Sequence, residues 1–249
     1  MKAKFSGSLI LASSSPRRRQ LLTEAGYKFT VRPPHIDESA FALEAIKPVE
    51  YAEQLALAKA ESIAAEHPGS LIIAADTLVD LNGNVIGKAA DAKDAERILK
   101  KLSGNPHKVI TALAIVRLRD NTEIVKSETT TVYPKKMTDE QIAEYIKTGD
   151  WRDKSGACAI EETGHQFLEK IEGSLTNVMG LPMELLEQLL KTLAWELQLR
   201  TVGYSDLAGK GSLVVGLGLL ANIGVQVLAV ITMRSMGLFY KHYNCYLVE

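Results

Sequence analysis

Residues Leu9-Ile10-Leu11-Ala12-Ser13-Ser14-Ser15-Pro16-Arg17-Arg18-Arg19 leave little choice of local structure. An apolar tetrad suited to a short buried strand runs into a hydroxyl-rich turn. A proline follows at the one helical position where a missing amide hydrogen costs nothing. Ser15 is placed to cap, Pro16 to open the first turn, and Leu21 and Leu22 to carry a helix on to Gly26. This order puts unpaired amide hydrogens, a partial positive charge and guanidinium groups at one spot, each of which favours bound phosphate. Successive helical residues turn by roughly 100°, so three adjacent arginines cannot share one ligand. Arg17 and Arg18 are expected to face it, and Arg19 to face solvent or a carboxylate. A purely solvated arginine face is the plain alternative.

The chain has 249 residues, 46% of them hydrophobic, and a net charge of -1. That is enough for one sizeable core, or one core with an appendage. A neutral chain carries no field to hold a nucleic acid polymer, so the arginines read as a site for a small anion. Cys158 and Cys245 form neither a CxxC nor a Cys/His ligand spacing, which argues against zinc and against a disulfide framework and leaves a reducing compartment as the expectation. The apolar run before the serines is too short for a secretory signal.

Pro48 to His67 reads as an amphipathic helix, and Leu71 to Val79 as a central strand closed by an Asn82-Gly83 hairpin turn. Asp91 or Asp94 can open a helix to Leu102. His107 to Leu118 and Thr122 to Tyr133 read as paired strands, and Thr138 with Gln141 forms a capping box for a helix ending at Gly149. Gly156 to Ile160 and Gln166 to Ile171 read as further strands, and Pro182 starts a helix running to about Arg200. Interleaved strands and helices without a fixed repeat give an α/β or mixed α+β class.

Asp76 interrupts an apolar strand, where an isolated carboxylate loses several kcal/mol of hydration unless it is paired or binds a metal. It reads either as a strand-end aspartate bonded to a turn, or as a general base or magnesium ligand at the carboxyl end of a strand. Lys88 lies beyond the hairpin, either on the surface or near the phosphates that the arginines hold. Asp37 and Glu38 form an acidic loop pair, and Glu38 with Asp76 would suffice for a magnesium ion that also takes phosphate oxygens. The histidines show no metal spacing, and no Ser/His/Asp arrangement emerges. The remaining scheme is an activated water attacking a phosphate held by cations, with pyrophosphate leaving.

Six motifs in order, Ser13-Ser14-Ser15-Pro16-Arg17-Arg18, Ala75-Asp76-Thr77, Gly87-Lys88, Ser103-Gly104 with His107, Asp153-Lys154-Ser155-Gly156-Ala157, and Gly173-Ser174 before Asn177-Val178-Met179-Gly180-Leu181-Pro182, make residues 7–195 resemble the Maf family of nucleoside triphosphate pyrophosphatases. The resemblance implies a domain over residues 1–200 with a central mixed twisted sheet flanked by helices. It implies cleavage between the α and β phosphates, a divalent metal (Mg or Mn), no organic cofactor, a cytoplasmic location, a house-cleaning role, a link to septum formation and a homodimer. By motif, Asp76 matches the proton acceptor. Ser13, Arg17, Arg18, Lys59 and Lys88 match the substrate shell, Glu38 and Asp76 the metal ligands, and Arg17, Thr77 and Glu161 the positions that set base preference. The stretch from Gly156 to Ile160 is similar to the dTTP/UTP branch. The chain departs from the pattern at Glu161, where glutamine is usual, at Ala89 for proline, and at Leu175 for an aromatic. A glutamine amide donates and accepts, whereas an ionised glutamate only accepts.

After Arg200 the composition changes. Within an extension over residues 201–249, Ser212 to Met233 carries no charge and is long enough to cross a hydrocarbon core of about 30 Å as a helix. A membrane span or membrane-lying helix, docking on the domain or a partner, and an extension without function are all open. The resulting alternative to an enzyme is a non-catalytic nucleotide-binding regulator of division, tethered by this tail.

Overall fold

The computed structural model describes residues 8–41, 46–159 and 163–201. The chain divides into a unit of Met1–Thr192 and a second of Leu193–Glu249, of which only residues 193–201 are described. The extension over 212–233 therefore lies outside the described residues, as does Glu161. Among the described residues no helix is long and apolar enough to cross a membrane.

The elements follow the order β1 (Leu9–Ala12), α1 (Pro16–Glu24), β2 (Thr30–Val31), α2 (Pro48–Ala64), β3 (Leu71–Leu81), β4 (Asn84–Ile86), α3 (Ala92–Leu102), β5 (His107–Arg117), β6 (Thr122–Pro134), α4 (Asp139–Thr148), β7 (Leu168–Glu172), α5 (Leu175–Val178) and α6 (Met183–Thr201). One mixed sheet runs in the order β2-β1-β3-β5-β6-β7, with β4 hairpinned onto β3. Strand β1 pairs in parallel with both β2 and β3, and the remaining pairs are antiparallel. The class is mixed α/β.

The near-continuous apolar run of β3 is explained by burial on both of its faces. Because side chains alternate along a strand, Ile72, Ala74 and Leu78 point one way and join Ile110, Ala112 and Ala114 of β5 beneath α2. Val79 and Leu81 point the other way, with Val109 and Val132, against Ile98, Leu99 and Leu102 of α3 and Ile142 and Tyr145 of α4. Helix α2 meets the sheet through Ala52, Ala56, Ala60 and Ala64, spaced four apart and fully buried. A row of methyl groups lets its backbone approach closely, which brings Lys59, one residue from that row, over the strand.

The local signals operate as read. Ser15 caps α1 with Pro16 behind it, Asp91 caps α3, and Thr138 with Gln141 closes a capping box on α4. Two expected strands differ. Gly156 to Ala159 form none, because Gly156 and Ala157 take φ of 71° and 54°, which an extended chain cannot accommodate; Ile160 lies outside the described residues. The strand expected from Gln166 begins at Leu168, after a short 3-10 turn over Thr163–Phe167.

Candidate active site

Strand β1 stops at Ala12, opposite Ala74, while β3 continues to Leu81. Asp76 therefore lies in the interior of its own strand, still paired to Ala112 on one side, but past the end of its parallel neighbour on the other. The Ser13–Ser15 turn leaves β1 at this gap and leads into α1. A strand-end aspartate is thus corrected to an interior one at a topological opening, the usual location of ligands in such sheets.

Alternation places Asp76 on the face that α2 covers, between Ala74 and Leu78. Lys59 of α2, 8% exposed, donates to Asp76 Oδ1 at 2.6 Å and pairs with Glu38 Oε1 at 2.7 Å. Glu38 begins the 3-10 turn Glu38–Ala40 that follows the Pro33-Pro34 segment. One ammonium therefore joins the two carboxylates that sequence reading nominated together. Partial burial pushes the Glu38 carboxyl up, but the hydrogen bond and charge of Lys59, with the charges of Lys88 and Arg18, hold it below its ordinary value. Asp76 Oδ2 makes no hydrogen bond to any described residue and is the oxygen left for a ligand or a water proton.

Arg17 and Arg18 separate as the helical rotation requires. Arg17 borders the cleft and donates from Nη1 to Gln20 Oε1 at 3.2 Å, whereas Arg19 is exposed. The Arg18 guanidinium turns inward, donating from Nε to the Gly180 carbonyl at 2.7 Å, from Nη2 to Thr77 Oγ1 at 3.0 Å and from Nη1 to Ser13 Oγ at 3.4 Å. Of its five N–H groups these use three, leaving one on each terminal nitrogen. Burial lowers its affinity for the proton, and the charges of Asp76 and Glu38 offset this; a guanidinium stays charged at neutral pH. Ser13, itself buried, also accepts the Ser15 amide at 3.1 Å, which shapes the turn. Lys88, exposed beyond β4, is set by a backbone bridge to Ser155, whose hydroxyl donates to the Thr77 carbonyl at 2.7 Å.

Ser13, Arg17, Arg18, Glu38, Lys59, Asp76, Thr77 and Lys88 all border one cleft of about 770 Å³. That lies within the usual range for a small-molecule site, roughly 300–1,000 Å³. Of the expected site residues, only Glu161 is outside the described residues. Among the described residues no group of three or more His, Cys, Asp or Glu side chains gathers as a protein-only metal cage. Two carboxylates sharing one cation do fit a hard divalent ion that takes its other oxygens from phosphate and water.

Sequence reading missed the interior partners of Arg18 and Thr77. Thr111 of β5 and Asn177 of α5 are both 0% exposed, and Gly180 supplies the carbonyl that holds Arg18 Nε. Gly180 has φ 98°, and an added Cβ would come within 3.3 Å of Thr77 Oγ1 and 3.5 Å of Arg18 Nε. A lone threonine in the apolar run from Val109 to Val116 is the signal that marks Thr111.

A mixed α/β protein whose cleft sets an interior carboxylate beside clustered cationic side chains is the class that this fold and cleft define. The chain belongs to the Maf-like protein family, whose model matches residues 8–193. The dTTP/UTP pyrophosphatase of Citrifermentans bemidjiense is 45% identical over 176 residues, 71% of this chain and 90% of that protein. That of Symbiobacterium thermophilum is 42% identical over 182 residues, 73% and 92% of the two chains. That of Bdellovibrio bacteriovorus is 41% identical over 191 residues, 74% and 97%. Among solved structures, a HAM1 protein from Coxiella burnetii aligns with a TM-score of 0.37 and 14% identity, covering 77% of this chain and 98% of that one.

Proposed function

We propose that this chain is a nucleoside triphosphate pyrophosphatase that cleaves the α–β phosphoanhydride of a triphosphate such as dTTP or UTP, giving the monophosphate and pyrophosphate. The observation that carries the reading is Asp76: a carboxylate inside a buried strand, bonded on one oxygen to Lys59 at 2.6 Å and with the other oxygen left for water, in the same cleft as Arg18. The dTTP/UTP pyrophosphatases at 41–45% identity support it.

In this reading Asp76 takes the proton of the attacking water. Arg18 offers its two remaining N–H groups to the phosphates, Arg17 and Lys88 add charge from the rim, and Ser13 holds the turn that delivers α1. Lys59 positions Asp76 and Glu38 and helps keep Glu38 ionised. Asp76 and Glu38 would hold a magnesium or manganese ion, which when bound polarises the phosphate and lowers the pKa of its water. Charge built up on the leaving pyrophosphate is met by fixed cations rather than by water that must reorganise. Base choice is assigned to Arg17, Thr77 and Glu161. We place the enzyme in the cytoplasm as a homodimer whose domain spans residues 1–200, with a house-cleaning role against unwanted nucleotides.

Replacing Asp76 by asparagine tests the assignment. The variant should bind triphosphate with nearly unchanged affinity and release no pyrophosphate; wild-type turnover would remove Asp76 from the mechanism. No observation among the described residues favours the non-catalytic, tail-tethered alternative.

A further inference from the structure

The proton of the Thr77 hydroxyl points into the protein rather than toward a ligand. Asn177 O is a carbonyl and can only accept, so Thr111 Oγ1, 2.9 Å away, donates its single proton there. The 2.9 Å contact between the Thr77 and Thr111 hydroxyls can then run in one direction only, from Thr77 to Thr111. Thr77 Oγ1 is left with lone pairs, and one of these receives Arg18 Nη2 at 3.0 Å. The circuit closes on itself. Gly180 N donates to the same Asn177 carbonyl at 2.9 Å, and Gly180 O accepts Arg18 Nε at 2.7 Å.

We infer that Thr77 serves phosphate recognition through Arg18, and that Thr111 and Asn177 are positioning residues for that guanidinium. The inference rests on the reading of the cleft as a triphosphate site. Arg18 is gripped along one side, at Nε by Gly180 directly and at Nη2 through Thr77 and Thr111, and both grips end on the segment from Asn177 to Gly180. A planar fork held by this circuit at Nε and Nη2, and by Ser13 at Nη1, has its two remaining N–H groups aimed without further loss of side-chain freedom, as bidentate binding of a phosphate requires. Thr77's part in base choice then passes through the placement of Arg18, because its hydroxyl has no proton to give a base.

The Asn177 side chain is buried and held by its amide nitrogen. Its Nδ2 donates to Val109 O at 3.0 Å and Thr130 Oγ1 at 2.9 Å, which fixes the amide orientation. Its Oδ1 is the one buried side-chain polar atom among the described residues without a partner. An orphaned buried acceptor is destabilising. The two amide bonds anchor the residue whose backbone carbonyl receives the Thr111 and Gly180 donors.

The test compares two probes, inorganic tripolyphosphate, which has no base, and UTP carrying a methylene bridge between its α and β phosphates. Binding to the full chain is measured by calorimetry. Thr111→Val, which keeps the shape and removes the hydroxyl, should weaken both probes equally, by about tenfold or more. Thr111→Ser, which restores the hydroxyl, should bind both within about twofold of wild type. Unchanged tripolyphosphate binding in Thr111→Val, or loss confined to the UTP analogue, overturns the inference. If Thr111→Val does not fold, Thr77→Val must show the same equal loss, and an unequal loss overturns it. Failure of wild-type protein to bind tripolyphosphate also overturns it. Pyrophosphate release from UTP by wild type is scored in parallel: its absence counts against the hydrolase reading, whereas unequal probe losses count against Thr111 alone.

Discussion

Lys59→Met isolates the ion pair on which the site is built. The Lys59 and Asp76 side chains are 10% and 12% exposed, and Glu38 is 55% exposed. Methionine replaces the aliphatic stem with little change in volume, so the loss is that of the ammonium rather than of packing. Removing one partner of a buried pair costs about 3–5 kcal/mol, because the other charge stays behind without compensation. Two features put this site at the lower end of that range. Asp76 borders an open cleft and remains in the field of Arg18, and the half-exposed Glu38 returns to water. We expect a loss of about 3 kcal/mol, which for a domain of this size lowers Tm by roughly 6–12 °C. Urea and thermal denaturation of wild type and variant, without divalent metal, give the value. The double variant Lys59→Met/Asp76→Asn should recover most of it, because the stranded charge is gone. A single variant as stable as wild type, or a double variant no better than the single, would refute the claim that Lys59 compensates a buried carboxylate.

Gly180→Ala places a side chain at φ 98° and a Cβ within 3.3 Å of Thr77 Oγ1; it should cost about 1–3 kcal/mol and raise KM for triphosphate, as read by urea melts and initial rates. Hydrogen bonds from Thr176 and Ser174 hold the Glu184 carboxyl below its usual 4.5. Its contribution is therefore present above about that pH and lost as pH falls through the lowered folded-state value. Glu184→Gln should flatten the acid limb of the stability–pH curve, and superimposable limbs would exclude this residue. Glu161→Gln supplies a donor beside an acceptor and should shift preference toward dTTP and UTP in a substrate panel; an unchanged profile would discard Glu161 as a selector.

Features governed by neighbours in sequence were legible from it. The Ser15-Pro16 helix start, the Asn82-Gly83 turn and the Thr138/Gln141 box depend on residues within one turn of each other, and all three occur where the pattern placed them. Asp76 was recognisable as an anomaly because a carboxylate in an apolar strand needs a partner. That its partner is Lys59 follows from strand alternation and the alanine row of α2 only when both elements are in place; sequence supplied Lys59 through resemblance instead. The Gly156–Ala159 segment misled because its composition is strand-like while its backbone has positive φ at Gly156 and Ala157. The circuit through Arg18, Thr77, Thr111 and Asn177 spans four elements, and no spacing rule joins residues whose contact is made by the sheet. What sequence offered there was the lone Thr111 in the apolar run from Val109 to Val116, unexplained until its partners arrived.

The bond that breaks is the central claim, and phosphorus NMR of the products tests it most directly. With UTP or dTTP and magnesium, wild-type protein should yield one pyrophosphate and one nucleoside monophosphate per triphosphate consumed, and Asp76→Asn should leave the triphosphate intact. Accumulation of nucleoside diphosphate with orthophosphate would contradict the account, because attack would then fall on the γ phosphate.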